Sequence, residues 1–228
     1  MFEIAQRDWQ AVGQAYAQDN RLRLEQFLTP QSAQRFHASV NQLPAFHQAC
    51  FLGGAPTMLS QQQFAAMTAV ERKDVWDQVA QQAARGVGYW YGRYQPQSAC
   101  NTHKAISAFF NSEQVLTLIK AVTGCESLTR ASVQLTRFRP GDFLTRHADQ
   151  VPGEGRRIAF VYNLNPKWHP DWGGLLQFFE LSGKPRDGWS PEFNSFGLFD
   201  VTHIHSVTAI ASFSPQVRHT ISGWFHQS

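Results

Sequence analysis

Phe138-Arg139-Pro140-Gly141-Asp142-Phe143-Leu144-Thr145-Arg146-His147-Ala148-Asp149 is the stretch on which the fold of this chain turns. Pro140-Gly141-Asp142 marks a turn, so two short strands meet there. In an extended segment residues i and i+2 point to the same side, which sends His147 and Asp149 to one face together. A further imidazole comes from His205, much later in the chain, and it can join the pair only if the sheet curls back on itself. Two imidazoles and one carboxylate can occupy one face of an iron(II) ion and leave its other positions open for a chelating molecule and O2. Arg218, about a dozen residues past His205, offers a planar cationic fork that matches a carboxylate and so suits a dicarboxylate.

The surrounding text is rich in strand signals. Arg156-Arg157-Ile158-Ala159-Phe160-Val161-Tyr162-Asn163-Leu164 is a β-branched and aromatic run of the kind found in buried strands. Trp172-Gly173-Gly174-Leu175-Leu176-Gln177-Phe178-Phe179 is a turn feeding another strand, and the chain closes on Arg218-His219-Thr220-Ile221-Ser222-Gly223-Trp224-Phe225-His226. Beyond residue 130 short β-rich runs alternate with Gly, Pro, Asn and Asp, the spacing of a sandwich or jelly roll. Before about residue 125 the character differs. Ile4 to Gln18 has helical spacing, and Thr29-Pro30-Gln31-Ser32 has the form of a helix start, because the fixed φ of proline suits a first turn. Gln61 to Ala84 carries an apolar helical face with an interruption, and Ser112 to Val122 is a helix capped by Asn111 or Ser112 and stopped at Gly124.

Composition sets bounds. A chain of 228 residues is long enough for one domain with a full core, or for one domain plus a helical extension, and 43% hydrophobic with 13% aromatic residues describes a large aromatic core. The formal charge of +3 comes without a clustered basic stripe, which argues against a nucleic-acid binder. Cys50, Cys100 and Cys125 are widely spaced and form no C-x-x-C, so neither a zinc knuckle nor a disulfide framework is expected, and a reducing compartment is the simpler inference. The N-terminal residues do not form a secretory signal, and no segment approaches the roughly 20 apolar residues of a membrane helix. A soluble, cytoplasmic protein is the expectation.

Taken in order, H-x-D, R-R-x-A-F-x-Y-x-L, G-G-L-L-Q, His-Ser-Val and R-x-[ST]-I-S-G-W-F-H closely resemble the 2-oxoglutarate and Fe(II)-dependent oxygenases. Within them the chain looks most like the prolyl 4-hydroxylase group, with a C-terminal ending similar to that of ribosomal-protein prolyl hydroxylases. The resemblance covers roughly residues 130 to 228. It implies a mainly β fold with flanking α, a double-stranded β-helix (jelly roll, cupin-like) over 126–228, supported by a helical N-terminal region over 1–125. It also implies a dioxygenase that uses Fe(II), 2-oxoglutarate and O2, with ascorbate as an accessory reductant. The iron ligands would be His147, Asp149 and His205, and Arg218 would hold the distal carboxylate of 2-oxoglutarate. His203 shares parity with His205, but Ser206-Val207 and the distance to Arg218 fit the family pattern from His205. Several relatives carry a tyrosine nine residues before the first histidine; here that position is Phe138, and Tyr162 is the substitute hydroxyl considered.

The other histidines have ordinary readings. His203 is a polar neighbour, His219 and His226 are partly exposed strand residues, His169 is in a loop, and His37, His47 and His103 lie outside any metal spacing. Arg156 and Arg157 read as a solvated strand edge, with substrate contact as the alternative. Gly86 to Tyr94 is either a core strand or hairpin with aromatic packing, or a flap over the active-site mouth whose Arg93 meets a carbonyl or an acidic residue. Asn165 to Trp172 is a second rim segment. The expected substrate is a prolyl residue in a protein. Free proline or another small amino acid is the alternative within the class; a non-catalytic jelly-roll binding module and a zinc hydrolase are the alternatives outside it.

Overall fold

A computed structural model describes residues 2–41, 43, 46–96 and 100–227. Among these, the chain runs as α1 (Trp9–Asp19), β1 (Arg21–Leu24), α2 (Pro30–Asn41), β2 (Phe46–Leu52), β3 (Ala55–Leu59), α3 (Gln61–Ala66), α4 (Ala69–Ala84), β4 (Tyr89–Tyr94), α5 (Asn101–Phe110) and α6 (Glu113–Thr123). It continues through β5 (Leu128–Phe138), β6 (Phe143–His147), β7 (Arg156–Asn163), β8 (Leu176–Phe179), β9 (Pro185–Trp189), β10 (Phe196–Asp200), β11 (Ile204–Val207) and β12 (Arg218–Gln227), with one 3-10 turn at Pro170–Trp172.

Local chemistry explains the helix ends. Asp8 caps α1, its carboxylate accepting from the backbone N–H groups of Gln10 and Ala11 at 3.0 Å, so the helix begins at Trp9 and Ile4 instead bridges to Leu28. The apolar stretch from Gln61 to Ala84 is two helices, not one, because Ser60 with Gln63 and Thr68 with Glu71 each form a capping box. Ser112 caps α6, and Gly124 ends it in the left-handed conformation at φ 70°.

The strands pair antiparallel in the order β1-β10-β7-β12-β5-β4-β6-β11-β8-β9, with β2 joined to β4 and β3 to β2. This sheet curls into a nearly closed barrel, the jelly-roll core expected from the strand spacing. The corner is β4. Its Gly92 and Arg93 pair with β5, while its Tyr89 and Trp90 pair with β6. Within the segment from 86 to 94, Tyr89–Tyr94 is therefore a strand held on both sides, with β2 as its other neighbour. Residues 1–125 contribute four strands as well as the helices, so the sheet extends well before residue 126.

β7 lies between two apolar layers and reads as one continuous hydrophobic run for that reason. Phe160 and Tyr162 face the helix side, where Phe27, Phe36, Phe110, Phe196 and Phe225 form the main core. Ala159 and Val161 face the barrel interior with Phe138, Phe178 and Phe199. The ring of Phe110 stacks on Phe160 at 4.5 Å and locks α5 to the sheet.

Two glycines give opposite expectations. A Cβ on Gly223 of β12 would stand 1.9 Å from the Ser132 carbonyl oxygen and 2.9 Å from the Phe160 ring, both rigid. Gly223→Ala is expected to lower stability by at least about 3 kcal/mol, through forced separation of β5 and β12. A Cβ on Gly13 of α1 would meet Ala121 and Val122 at 3.5 Å, an ordinary contact. Gly13→Ala is expected to raise stability by up to about 1 kcal/mol through helix propensity. Urea denaturation of the two variants beside the parent chain measures both.

Candidate active site

β6 ends at His147, and β11 pairs with it so that His205 stands directly opposite His147. The two imidazole rings lie 4.3 Å apart, centroid to centroid. Asp149 follows β6 and is tied down by its backbone N–H, which donates to the Val201 carbonyl at 3.0 Å. Its carboxylate oxygens reach 3.5 Å from Nε2 of His147 and 3.5 Å from Nε2 of His205. One donor atom from each of the three residues lies within 4.8 Å of the others, the only such cluster of metal-ligating groups among the described residues. Nδ1 of His147 lies 3.0 Å from the Thr145 carbonyl, and Nδ1 of His205 lies 2.9 Å from the His203 carbonyl. With Nδ1–H donating to these carbonyls, the Nε2 lone pairs are left toward Asp149, the tautomer a metal ligand needs. Phe199, edge-on at 4.8 Å, fixes the His205 ring.

Electrostatics suit a cation. Burial acts to raise the Asp149 carboxyl, but the His205 and His147 imidazoles outweigh it and hold the group at about 2. The Trp224 indole N–H helps, although it stops short of a well-formed hydrogen bond. Burial pushes His205 down to about 4, so it is neutral at pH 7. Burial also opposes protonation of His147, yet its hydrogen bond to Asp149 and the charge there win, and it rises above its ordinary value. Asp149 therefore carries the negative charge, and His147 is the ligand at which a proton competes with a metal as pH falls. A 2-His-1-carboxylate set on one side of an ion is a donor set suited to Fe(II).

Arg218 opens β12 opposite Phe138, its guanidinium carbon 5.2 Å from that ring. The residue is 2% exposed, has no ion pair among the described residues, and its buried Nε has no hydrogen-bond partner. Burial alone pulls it down to about 9. A buried guanidinium without a counter-charge is costly, so the site fits an anion. Gly174 makes room for it, because a Cβ there would meet Cδ of Arg218 at 3.2 Å and Ile210 at 2.5 Å. Arg218 and the triad line one cavity of about 400 Å³ with apolar walls from Phe138, Leu144, Leu176 and Val207. The donors for a metal and the partner for a dicarboxylate thus occupy a single enclosure of small-molecule size.

Several expectations need revision. Tyr162 does not reach the cavity: it lies on the helix side of β7, and its hydroxyl donates to Asn194 at 2.9 Å in the main core. It is not available to a cosubstrate beside Arg218. Phe138 is instead covered by Tyr91, whose ring stacks on it at 4.8 Å. His203 is, as expected, a polar neighbour: it precedes β11 in a turn, and its Nε2 lies 2.8 Å from the Asp19 carbonyl, away from the triad. Arg156 is not a solvated edge. It lines the cavity, lies 3.8 Å over the Trp224 ring and pairs with Glu154 at 2.6 Å. Arg157 is the more exposed of the two and faces Asp200 at 3.8 Å. His226 is buried beside Ser132 and Arg130, not partly exposed. Sequence reasoning passed over Trp224 as a cavity residue and gave Tyr89 and Tyr91 a place at the cavity mouth in only one of its two readings. Alternation carried the signal, since 89, 91 and 93 share one face of β4, and 218, 220, 222 and 224 share one face of β12.

A nearly closed jelly roll thus brings a His-Asp-His cluster and a buried arginine to one cavity. Residues 133–226 match the family model described as the 2OG-Fe(II) oxygenase superfamily. The chain is 30% identical to "Prolyl 3-hydroxylase OGFOD1" of Xenopus laevis over 46% of this chain and 21% of that protein. The chain thus spans about a fifth of the length of the curated relatives it matches. A prolyl-4-hydroxylase of Pseudomonas putida has a similar structure, with a TM-score of 0.60 at 19% identity, covering 97% of this chain and 100% of the other. A 2OG-Fe(II) oxygenase family oxidoreductase of Burkholderia pseudomallei gives 0.66 at 11% identity, over 100% of this chain and 94% of the other.

Two outcomes are expected at this site. Replacing the unpaired guanidinium by Arg218→Met raises the stability of the protein measured alone by roughly 1 to 4 kcal/mol. The same change removes the rise in melting temperature on adding 2-oxoglutarate, as differential scanning calorimetry with and without it would show. Fe(II) affinity, measured by anaerobic equilibrium dialysis, falls as pH drops through and below the raised titration of His147, by about tenfold per pH unit, since each ion must displace one proton there.

Proposed function

We propose that this chain is an Fe(II)- and 2-oxoglutarate-dependent dioxygenase that hydroxylates a prolyl residue of a protein and releases succinate and CO2. One observation carries it: the His147-Asp149-His205 cluster and the unpaired, buried Arg218 line the same cavity. Similarity to proteins named as prolyl hydroxylases supports the substrate class. A hydrolase using the same ligands has no use for a buried guanidinium in the same cavity, and a binding module would not need the cluster.

Fe(II) on His147, Asp149 and His205, chelated by 2-oxoglutarate, would supply O2 activation coupled to decarboxylation. The chain does the rest. The Thr145 and His203 carbonyls hold both imidazoles in the liganding tautomer. Arg218 binds and orients the distal carboxylate, its fork matching that group in two hydrogen bonds. Phe138, Leu176 and Val207 exclude water from the cosubstrate end, which strengthens the Arg218 ion pair. Trp224 and Arg156, stacked at the Asp149 side, form the wall a prolyl ring would meet. Ascorbate, as a reductant keeping the metal divalent, and a cytoplasmic location consistent with three free cysteines belong to the same proposal.

The test is anaerobic titration with Fe(II) and 2-oxoglutarate, followed by the visible charge-transfer band of the chelate. The parent chain is expected to give the band and Asp149→Ala to lose it, with succinate formation in air falling at least a hundredfold. A parent chain that binds iron but gives no band sinks the cosubstrate assignment. Mass spectrometry of prolyl peptides after turnover, followed by NMR of the product, then reads which ring carbon gains oxygen.

A further inference from the structure

β4 turns Tyr89, Tyr91 and Arg93 into the cavity, and Tyr89 and Tyr91 pack against each other at 5.6 Å. The charged groups lining the cavity can be assigned one by one. Asp149 faces the two histidines. Arg156 is offset by Glu154 at 2.6 Å. Arg218 lies at the cosubstrate end. Arg93 is the remainder: half-buried, its guanidinium without a hydrogen bond or ion pair to any described residue. With a dication on the triad and a dicarboxylate beside Arg218, every charge in the cavity is balanced except that of Arg93.

We infer that Arg93 binds a carboxylate of the substrate and so sets specificity; this rests on the cosubstrate reading above. Burial favours the interaction, because water competes less for a half-enclosed guanidinium than for a surface one. The neighbouring Tyr89 and Tyr91 present phenol rings that would lie along an apolar ring or stem next to that carboxylate. The carboxylate can come from an acidic side chain beside the hydroxylated residue, or from the α-carboxylate of a terminal or free amino acid. Both would form the same two-pronged contact with the fork.

Two ligand pairs separate the sources, each differing only in charge: N-acetyl-L-proline against N-acetyl-L-prolinamide, and N-acetyl-glutamyl-prolinamide against N-acetyl-glutaminyl-prolinamide. Binding to the full chain loaded anaerobically with Fe(II) and 2-oxoglutarate is measured by calorimetry. In at least one pair the acid is expected to bind tenfold or more tightly than its neutral partner. Arg93→Gln should erase that difference and Arg93→Lys should keep part of it, while the affinity for 2-oxoglutarate stays unchanged. A first-pair preference assigns an α-carboxylate, a second-pair preference an acidic side chain. Equal affinities within both pairs, absence of binding by all four, or a preference that survives Arg93→Gln overturns the assignment. Loss of the 2-oxoglutarate band from the parent chain would instead strike at the cosubstrate reading, and the four ligands would still be compared on the Fe(II)-loaded protein.

Discussion

His147 and His205 face each other because β6 and β11 pair in one register, and everything at the site inherits that alignment. A slip of one residue would turn one imidazole to the opposite side of its strand. The register is held from both sides: β8 pairs with β11 residue for residue, and β4 clamps β6 through Tyr89 and Trp90. β4 can do this only because it changes partner partway along, from β5 to β6, at the barrel corner. Gly92 fits there because a Cβ would press on the Arg137 carbonyl and the Phe46 side chain at 3.1 and 3.2 Å.

Charge organises the cavity as firmly as register does. Its apolar walls make each ionic group expensive unless it meets an opposite one. Asp149 has two imidazoles at 3.5 Å, and Arg156 has Glu154, while Arg218 meets an aromatic face and no counter-charge among the described residues. The contrast is chemical information: pairs satisfied within the chain build the wall, and groups left over mark where ligands supply the missing charge.

His147 and Asp149 were legible in the sequence through i to i+2 parity in an extended segment, whereas His205 and Arg218, far along the chain, were legible only through the resemblance of their motifs to a known family. Cavity walls are harder to read. Tyr91, Phe138 and Arg218 lie side by side on three strands, and nothing local in the sequence links residue 91 to residue 138. Tyr162 misled because β7 is buried on both faces, so hydrophobic alternation gives no sign of which face holds the cavity. His203 shares sequence parity with His205 yet stands apart from it, because parity holds only within a strand and β11 begins one residue later. The start of α1 was blurred for a simpler reason: apolar spacing runs on through Ile4, while the Asp8 cap decides where the helix begins.

The uncompensated burial of Arg218 also bears on how long the molecule survives. A ligand that binds only the folded state stabilises it in proportion to the logarithm of its excess over the dissociation constant. A dicarboxylate that neutralises this guanidinium would therefore lower the fraction of chains open to proteases. The abundance of the protein in a cell would then follow the supply of that dicarboxylate.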